Sequence, residues 1–404
     1  MSKRCAVVYH FFPHYRRPVM EGLLASAAQT WVLFGDTSGE QVEGTIAAWI
    51  PADPDRFVRT RLRRLPGGLL WQSGLIGLAL SPRYSTIVYL ADPHFPATWL
   101  SAILARLSGK RVLFWTHGWL RREGFAKRCL RSTFHRLAHG LLLYGRRARV
   151  LGIEAGFAAE RLHVIYNSLD DEAQLRALGT IDDAERRRIR AELFTGDVQT
   201  PVVVCTTRLT QVRRLDRLLD AVAELARRGR RVNVLLVGDG PERTALENQA
   251  TRLGLTVHFA GACYNESRLA RYISCANCTV APGKVGLTAM HSMAFGVPVL
   301  THADADDQMP EWESIVPGLT GDLFAPGEVT AIAAAIERWT VTAFPSESVR
   351  QACLTVISRF YNPSNQVRLI EAAVVGQLAE PTSGERLQAE EVHLRHATSG
   401  PERP

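Results

Sequence analysis

The chain has 404 residues, a length that suits two or three domains. Hydrophobic residues make up 46% and charged residues 22%, an ordinary soluble composition that excludes a disordered, collagen-like or membrane-embedded chain. The formal net charge of +8 is uneven: residues 1–170 hold 23 Lys and Arg against 11 Asp and Glu, and the remainder is net −4. Seven cysteines, an odd number dispersed from Cys5 to Cys353, make no disulfide framework and fit a reducing, cytoplasmic compartment.

In chain order, the basic N-terminus runs into an apolar stretch at 5–9, too short for a secretory core and read as a first strand. Strand-like runs follow at 5–11, 31–34, 87–90, 112–115, 141–144 and 163–166. A second set lies at 202–206, 232–237, 256–260, 278–281 and 297–301. Between them lie helical patterns, clearest at 215–225, where apolar residues recur at 215, 218, 219, 222 and 225. The uncharged stretch 65–82 contains Pro66, Gly67, Gly68 and Gln72, so it is not read as a membrane span. Short apolar strands alternating with helices predict an α/β fold with parallel sheets, here two doubly wound domains. They meet at a polar, hinge-like segment near 170–195. From about Ala379 the chain turns rich in Pro, Ser, Gly and Glu and reads as a disordered tail.

The basic half concentrates charge at Arg56, Arg59, Arg61, Arg63 and Arg64, and again at Arg121, Arg122, Lys127, Arg128, Arg131 and Arg136. Two readings stand: a solvated surface, or peripheral docking on an anionic membrane face. No zinc-finger or RNA-recognition signature accompanies the charge, so no nucleic-acid partner is expected.

Ligands of such sheets bind beyond the carboxyl ends of the strands. After 202–206 come Arg208, Arg213 and Arg214, whose guanidinium forks suit a pyrophosphate, with a plain basic loop as the alternative. After 232–237 comes Gly238-Asp-Gly240-Pro-Glu242. It lacks the third glycine of a dinucleotide fingerprint, since Arg243 stands there. After 278–281 come Gly283, Lys284 and Gly286 and then a helix from Leu287 carrying Thr288 and His291. Glycines and a helix N-terminus make an anion site, and Thr288 adds a hydroxyl donor; the alternative is a glycine turn with a packed core histidine. Cys275 and Cys278 span a helix end and a strand, with no second pair at zinc spacing, and Asp304, Asp306 and Asp307 read as a polar loop, so no metal is expected.

Over residues 200–325 these segments together resemble the donor domain of the family 4 (group 1) retaining glycosyltransferases. The resemblance rests on Thr207-Arg208-Leu209-Thr210 with Arg213, on 236–242, on 257–261 and on 286–300. Glu313 matches the acidic residue that follows in the family. In the first half, His117 in Trp115-Thr-His-Gly118 resembles the family's cleft histidine, and 164–170 its interdomain segment. The loop from His10 to Pro18, with His14, Arg16 and Arg17, stands at its first loop. The family's Glu-x7-Glu falls on Gly283 and His291, so both carboxylates are absent, which marks a divergent subfamily. Arg213 replaces a lysine and Arg214 a glycine.

The resemblance implies the GT-B fold: two Rossmann-like domains with parallel sheets facing across a cleft. It implies an acceptor-binding domain at 1–170, a nucleotide-sugar domain at 171–350, and helices at 351–378 crossing back to the first domain. The tail covers 379–404. It implies transfer with retention from a nucleotide-diphosphate sugar to a hydroxyl acceptor, which could be a glycan, a lipid-linked saccharide or a small natural product. No cofactor is expected. His117, Arg208 and Arg213 would carry catalysis. Gly240, Gly283, Lys284, Gly286, Leu287, Thr288, His291 and Glu313 would bind the donor, with His14, Arg16 and Arg17 on the acceptor side. The missing carboxylates keep two alternatives open: a nucleotide-sugar-binding protein without catalysis, and a GT-B nucleotide-sugar epimerase.

Overall fold

A computed structural model describes residues 4–38 and 46–377, and the expected tail at 379–404 lies outside the described residues. They fall into two compact units, one made of 4–169 with 362–377 and the other of 170–361.

The first unit runs β1 (Arg4–Phe11), α1 (Arg17–Ala25), β2 (Trp31–Asp36), β3 (Phe57–Arg59), β4 (Leu62–Arg64), β5 (Leu70–Gln72) and α2 (Leu75–Leu80). It continues with β6 (Tyr84–Leu90), α3 (Pro96–Leu107), β7 (Arg111–Thr116), α4 (Phe125–Arg136), β8 (Gly140–Leu143), α5 (Arg146–Glu154) and β9 (Leu162–Val164). Among the described residues its sheet has the order β3-β2-β1-β6-β7-β8-β9, with every pair parallel. Alternate strand residues pack Ala6, Val8, Ile87, Tyr89, Val112 and Phe114 against the layer α2 to α5 on one face. On the opposite face Val7, Leu33, Val88 and Leu113 are fully buried too, and burial on both faces explains why these strands read as unbroken apolar runs. β4 and β5 form an antiparallel hairpin, tied to β1 by Gln72, whose amide donates to the Tyr9 carbonyl at 2.7 Å.

The second unit runs α6 (Asp171–Leu178), α7 (Asp183–Leu193), β10 (Val202–Thr206), α8 (Leu215–Arg227), β11 (Asn233–Val237), α9 (Arg243–Arg252) and β12 (Val257–Gly261). Then come α10 (Glu266–Ser274), β13 (Cys278–Ala281), α11 (Leu287–Ala294), β14 (Val299–His302), β15 (Gly321–Phe324), α12 (Val329–Trp339) and α13 (Glu347–Phe360). Its parallel sheet has the order β12-β11-β10-β13-β14-β15. The order reverses between β10 and β13, so the loops that follow these two strands open a crevice at their carboxyl ends.

The segment near 170–195 is helical, and the two units divide at its start, between Leu169 and Asp170. Asp170 caps α6 through the Ala173 N–H and Asp182 caps α7 through the Glu185 N–H, so acids that looked like loop polarity are helix starts. On α7, Arg190 is fully buried. It donates to the Cys275 carbonyl at 2.7 Å and to Asn277 Oδ1 at 2.9 Å, with its guanidinium 4.1 Å from the Phe344 ring. β3, β4, β5 and β15 are three or four residues long and were not legible as strands. The first two are arginine-rich, and their pairing, not their own pattern, makes them strands.

After α13 the chain returns to the first unit as α14 (Pro363–Val375). It packs on α1, β8 and β9 and buries Leu369, Ile370, Ala373 and Val374. Gln366 is fully buried, accepting from the Ser168 hydroxyl at 2.7 Å and donating to the Tyr166 carbonyl at 2.5 Å. Ile370→Ala is expected to lower unfolding free energy by about 2–5 kcal/mol, because it leaves a cavity under α14. A urea midpoint equal to wild type would show that α14 is a passive appendage.

Candidate functional site

The site grows from the two loops at the strand-order reversal of the second unit. After β10 the chain passes Thr207 and Arg208, makes a short turn at 211–213, and enters α8 through Arg214. Arg214 has φ +50°, the left-handed region that favours glycine, and its guanidinium pairs with Asp216 at 3.0 Å. This accounts for the glycine expected at that position.

The loop after β13 lies directly against this turn. The Gly283 N–H donates to the Arg213 carbonyl at 3.1 Å, and Arg213 Nη1 donates to the Lys284 carbonyl at 2.5 Å. A Cβ at position 283 would sit 2.2 Å from the Val212 carbonyl oxygen. The side-chain space that a glutamate would need at 283 is therefore filled by backbone. Arg213 Nε–H is buried without a hydrogen-bond partner among the described residues. A half-buried guanidinium with one arm fixed and one donor idle suits an anion.

α11 begins beside this pair of loops, with Gly286 as its N-cap residue. Its first N–H groups have no partner within the helix, and its dipole favours negative charge there. The Thr288 hydroxyl donates to the Thr206 carbonyl at 2.6 Å, tying α11 to β10. Lys284 Nζ is paired with Asp307 at 2.8 Å, which binds the loop after β13 to the acidic turn at 305–307. Gln308 completes the brace, accepting from the Val285 N–H at 2.8 Å and donating to the His302 carbonyl at 3.0 Å.

One turn along α11, His291 Nδ1 lies 3.3 Å from the Gln174 amide nitrogen. Gln174 also donates to Glu266 Oε2 at 3.5 Å, and that carboxylate is 3.9 Å from His291. Burial lowers the His291 pKa to about 4, so the imidazole is neutral near pH 7. The neutral ring carries one proton, so its second nitrogen, Nε2, can meet a ligand group as well. Burial raises the Glu266 pKa. Gln174 and Glu266 were missed in sequence: they arrive on α6 and α10, and no spacing along the chain connects them to residue 291.

The remaining donor-side residues divide. Gly240 is set by packing, since a Cβ there would lie 2.3 Å from the Leu209 carbonyl oxygen, and the two loops are joined by Leu209 N–H to the Asp239 carbonyl at 3.0 Å. Glu313 is buried in the turn at 310–314, which packs on α11. Arg208 is exposed beside β10, and Leu287 is half-buried at the helix start. Cys275 and Cys278 are buried free thiols.

In the first unit, His117 follows β7, its ring centroid 4.7 Å from that of Tyr144. Its loop is braced by Arg131, which donates to the Gly118 carbonyl at 2.8 Å and grips Glu123 with two bonds of 2.7 and 2.8 Å. Crowding of the ring by protein, then the charges of Arg16 and Arg131, lower the His117 pKa to about 4. The three residues expected on the acceptor side do not act as one group. His14 and Arg17 are exposed, with Arg17 paired to Glu21 at 2.9 Å. Arg16 is turned inward, donating to Asn167 Oδ1 at 2.5 Å and to the Tyr144 hydroxyl at 2.9 Å. It thus joins the loop after β1 to those after β8 and β9.

Residues 200–340 match the family described as glycosyl transferases, group 1. That match lies within the second unit and covers about a third of the chain. The chain is 27% identical over 213 residues to a 2-deoxystreptamine glucosyltransferase of Streptomyces kanamyceticus, covering 52% of each chain. It is 34% identical over 96 residues to a GDP-mannose-dependent alpha-(1-6)-phosphatidylinositol dimannoside mannosyltransferase of Mycobacterium tuberculosis, covering 23% of this chain and 25% of that one. The chain thus spans about half or less of the length of these relatives. Among solved structures, Anabaena HepE in complex with UDP superposes with a TM-score of 0.67 at 19% identity, covering 93% of this chain and 100% of that one. A glycosyltransferase from Rickettsia africae gives 0.69 at 12%, covering 93% and 99%. These likenesses and the two parallel sheets establish the GT-B fold.

Two outcomes follow for the two units. Gly283→Glu, which restores the carboxylate usual in the family, should destabilise the protein and not rescue anything, since even Gly283→Ala meets the Val212 carbonyl. Both variants should melt below wild type, and an unchanged melting temperature for Gly283→Ala would mean the two loops are not locked. The second outcome concerns pH. His135 is pushed by burial to about 3, and His10, His163 and His291 to about 4, all below the value of about 6.5 for an unfolded chain. The folded state therefore binds fewer protons than the unfolded state between those values. The stability these neutral rings confer is fully present above pH 6.5 and declines as pH falls toward 4. Urea midpoints should drop from pH 7.5 to 5.0, and a midpoint that stays level would contradict the burial of neutral histidines.

Proposed function

We propose that this protein is a glycosyltransferase that moves a sugar from a nucleotide-diphosphate sugar to a hydroxyl acceptor with retention at the anomeric carbon. The observation that carries the reading is the idle, buried Arg213 Nε–H beside the N-terminus of α11, at the strand-order reversal of the group 1 domain. In the proposed reaction the acceptor oxygen bonds to the anomeric carbon as the bond to the diphosphate breaks, and a donor phosphate oxygen takes the acceptor's proton. Charge grows on the leaving diphosphate, so fixed donors aimed at it are the main catalytic resource. Arg213, Arg208 and the backbone N–H groups at 286–288 supply them. His291 and Glu266 then stand about one helical turn from the phosphates, the distance at which the donor's ribose would hang.

The names of the relatives point to glucosyl or mannosyl donors and to UDP or GDP as the nucleotide. A second reading, a nucleotide-sugar binder without turnover, draws on the backbone that fills the side-chain space at position 283. A panel of UDP-, GDP-, dTDP- and ADP-sugars separates the two. Thermal stabilisation with product formation supports the transferase, stabilisation without product supports the binder, and loss of donor without acceptor indicates an epimerase. With the active donor, Arg213→Ala should lower kcat by about 10²–10³-fold, more than it weakens donor binding. Near-wild-type turnover would remove the guanidinium from the account. His291→Ala should weaken donor affinity by about three- to tenfold, the worth of one hydrogen bond. That loss should shrink for a 2′-deoxyribose donor if the ring contacts that hydroxyl. An equal loss for both donors would make His291 a packing residue.

A further inference from the structure

We propose that the outer face of the α2–α5 layer of the first unit docks on an anionic lipid bilayer, with α3 as its apolar element and α4 as its basic one. The argument begins with α3. Its inner face buries Ala97, Ala102 and Ala105 against the sheet. The outer face of such a helix is normally polar. Here it carries Leu100, Ile103 and Leu107, which are 41%, 41% and 80% exposed. Their spacing of three and four residues aligns them in one stripe.

α4 lies in the same layer. The Trp99 ring of α3 is 4.6 Å from the Phe134 ring of α4, and Arg106 Nη1 donates to the Leu137 carbonyl at 3.1 Å. The N-terminal turns of α4 expose Lys127, Arg128 and Leu130, and Arg121 is exposed just before them. No Asp or Glu occurs in α2, α3 or α4. Nearby acids are already engaged, Glu123 by Arg131 and Glu154 by Arg122 at 3.5 Å. The surface thus combines exposed aliphatic side chains with uncompensated positive charge.

This chemistry selects the partner. Basic residues gain attraction from anionic headgroups, and aliphatic side chains gain by entering the boundary between headgroup and acyl chain. A second copy of the chain would bring the same cations face to face. A nucleic acid would press the stripe against phosphates. No helix among the described residues is long and apolar enough to cross a membrane, so the contact is peripheral. The basic turns of α4 follow the carboxyl end of β7, as His117 does. Docking would therefore bring that strand-end edge toward the bilayer surface and favour an acceptor carried by the membrane. That last point rests on the transferase reading, whereas the docking does not.

Vesicle co-sedimentation tests it, with phosphatidylcholine alone against phosphatidylcholine containing phosphatidylglycerol, at low and high salt. Wild type should sediment with the anionic vesicles at low salt, much less at high salt, and little with the neutral ones. Lys127→Glu/Arg128→Glu should lower partitioning by about tenfold or more. Ile103→Ser/Leu107→Ser should weaken it while leaving the salt dependence in place. Both variants change exposed positions, so their melting temperatures and nucleoside diphosphate affinities should match wild type. Equal sedimentation with neutral and anionic vesicles would overturn the proposal, as would variants that sediment like wild type. So would a wild-type dimer that the α3 variant converts to a monomer while vesicle binding is absent. In each case, intact nucleotide binding would leave the transferase reading standing.

Discussion

The second unit is organised around one close approach: the turn before α8 and the loop before α11 are joined backbone to backbone. The Gly283 N–H meets the Arg213 carbonyl, Arg213 reaches back to the Lys284 carbonyl, and the Val212 carbonyl fills the space beside Gly283. A side chain at 283 and this approach exclude each other. The approach fixes where α11 begins, where the arginine points and how the Lys284–Asp307 pair closes the far side. Much of what looks like ligand chemistry in the sequence is spent on building this frame. Thr288 holds Thr206, Gly240 admits Leu209, and Lys284 holds Asp307.

The consequence is electrostatic. Relative to the family pattern, two acidic positions are replaced by a glycine and by a histidine held neutral through burial. Arg213 and the helix N-terminus keep their positive character, so under the proposed function the loops at β10 and β13 would favour a diphosphate more than the usual pattern would. Part of the lost negative charge returns from another helix, since Glu266 of α10 lies within 4 Å of His291 with Gln174 beside both. Hydroxyl recognition would then be shared by an imidazole and a carboxylate on separate elements, which lets the two positions vary independently.

The long central strands were legible because both of their faces are covered, and α8 because its apolar residues keep a strict helical period. The short strands were not, because β3 and β4 carry arginines and owe their conformation to neighbours far along the chain. Polarity hid helices at 170–195, where Asp170 and Asp182 are caps and Arg190 is a buried fastener, not a solvated charge. The same limit governs the site. Motif spacing located Arg213, Gly283 and Gly286, which lie on two loops beside the strand-order reversal. It could not show that Arg16 turns inward, that Thr288 spends its proton on the backbone, or that Gln174 and Glu266 come to His291. Those facts depend on which helices pack together.

The central claim is that the β10 and β13 loops hold a diphosphate. Calorimetric titration with a nucleoside, its monophosphate and its diphosphate tests it most directly. The account predicts that affinity rises steeply with each phosphate and that the diphosphate's advantage shrinks with added salt. A nucleoside that binds as tightly as its diphosphate, or a diphosphate that does not bind, would contradict it.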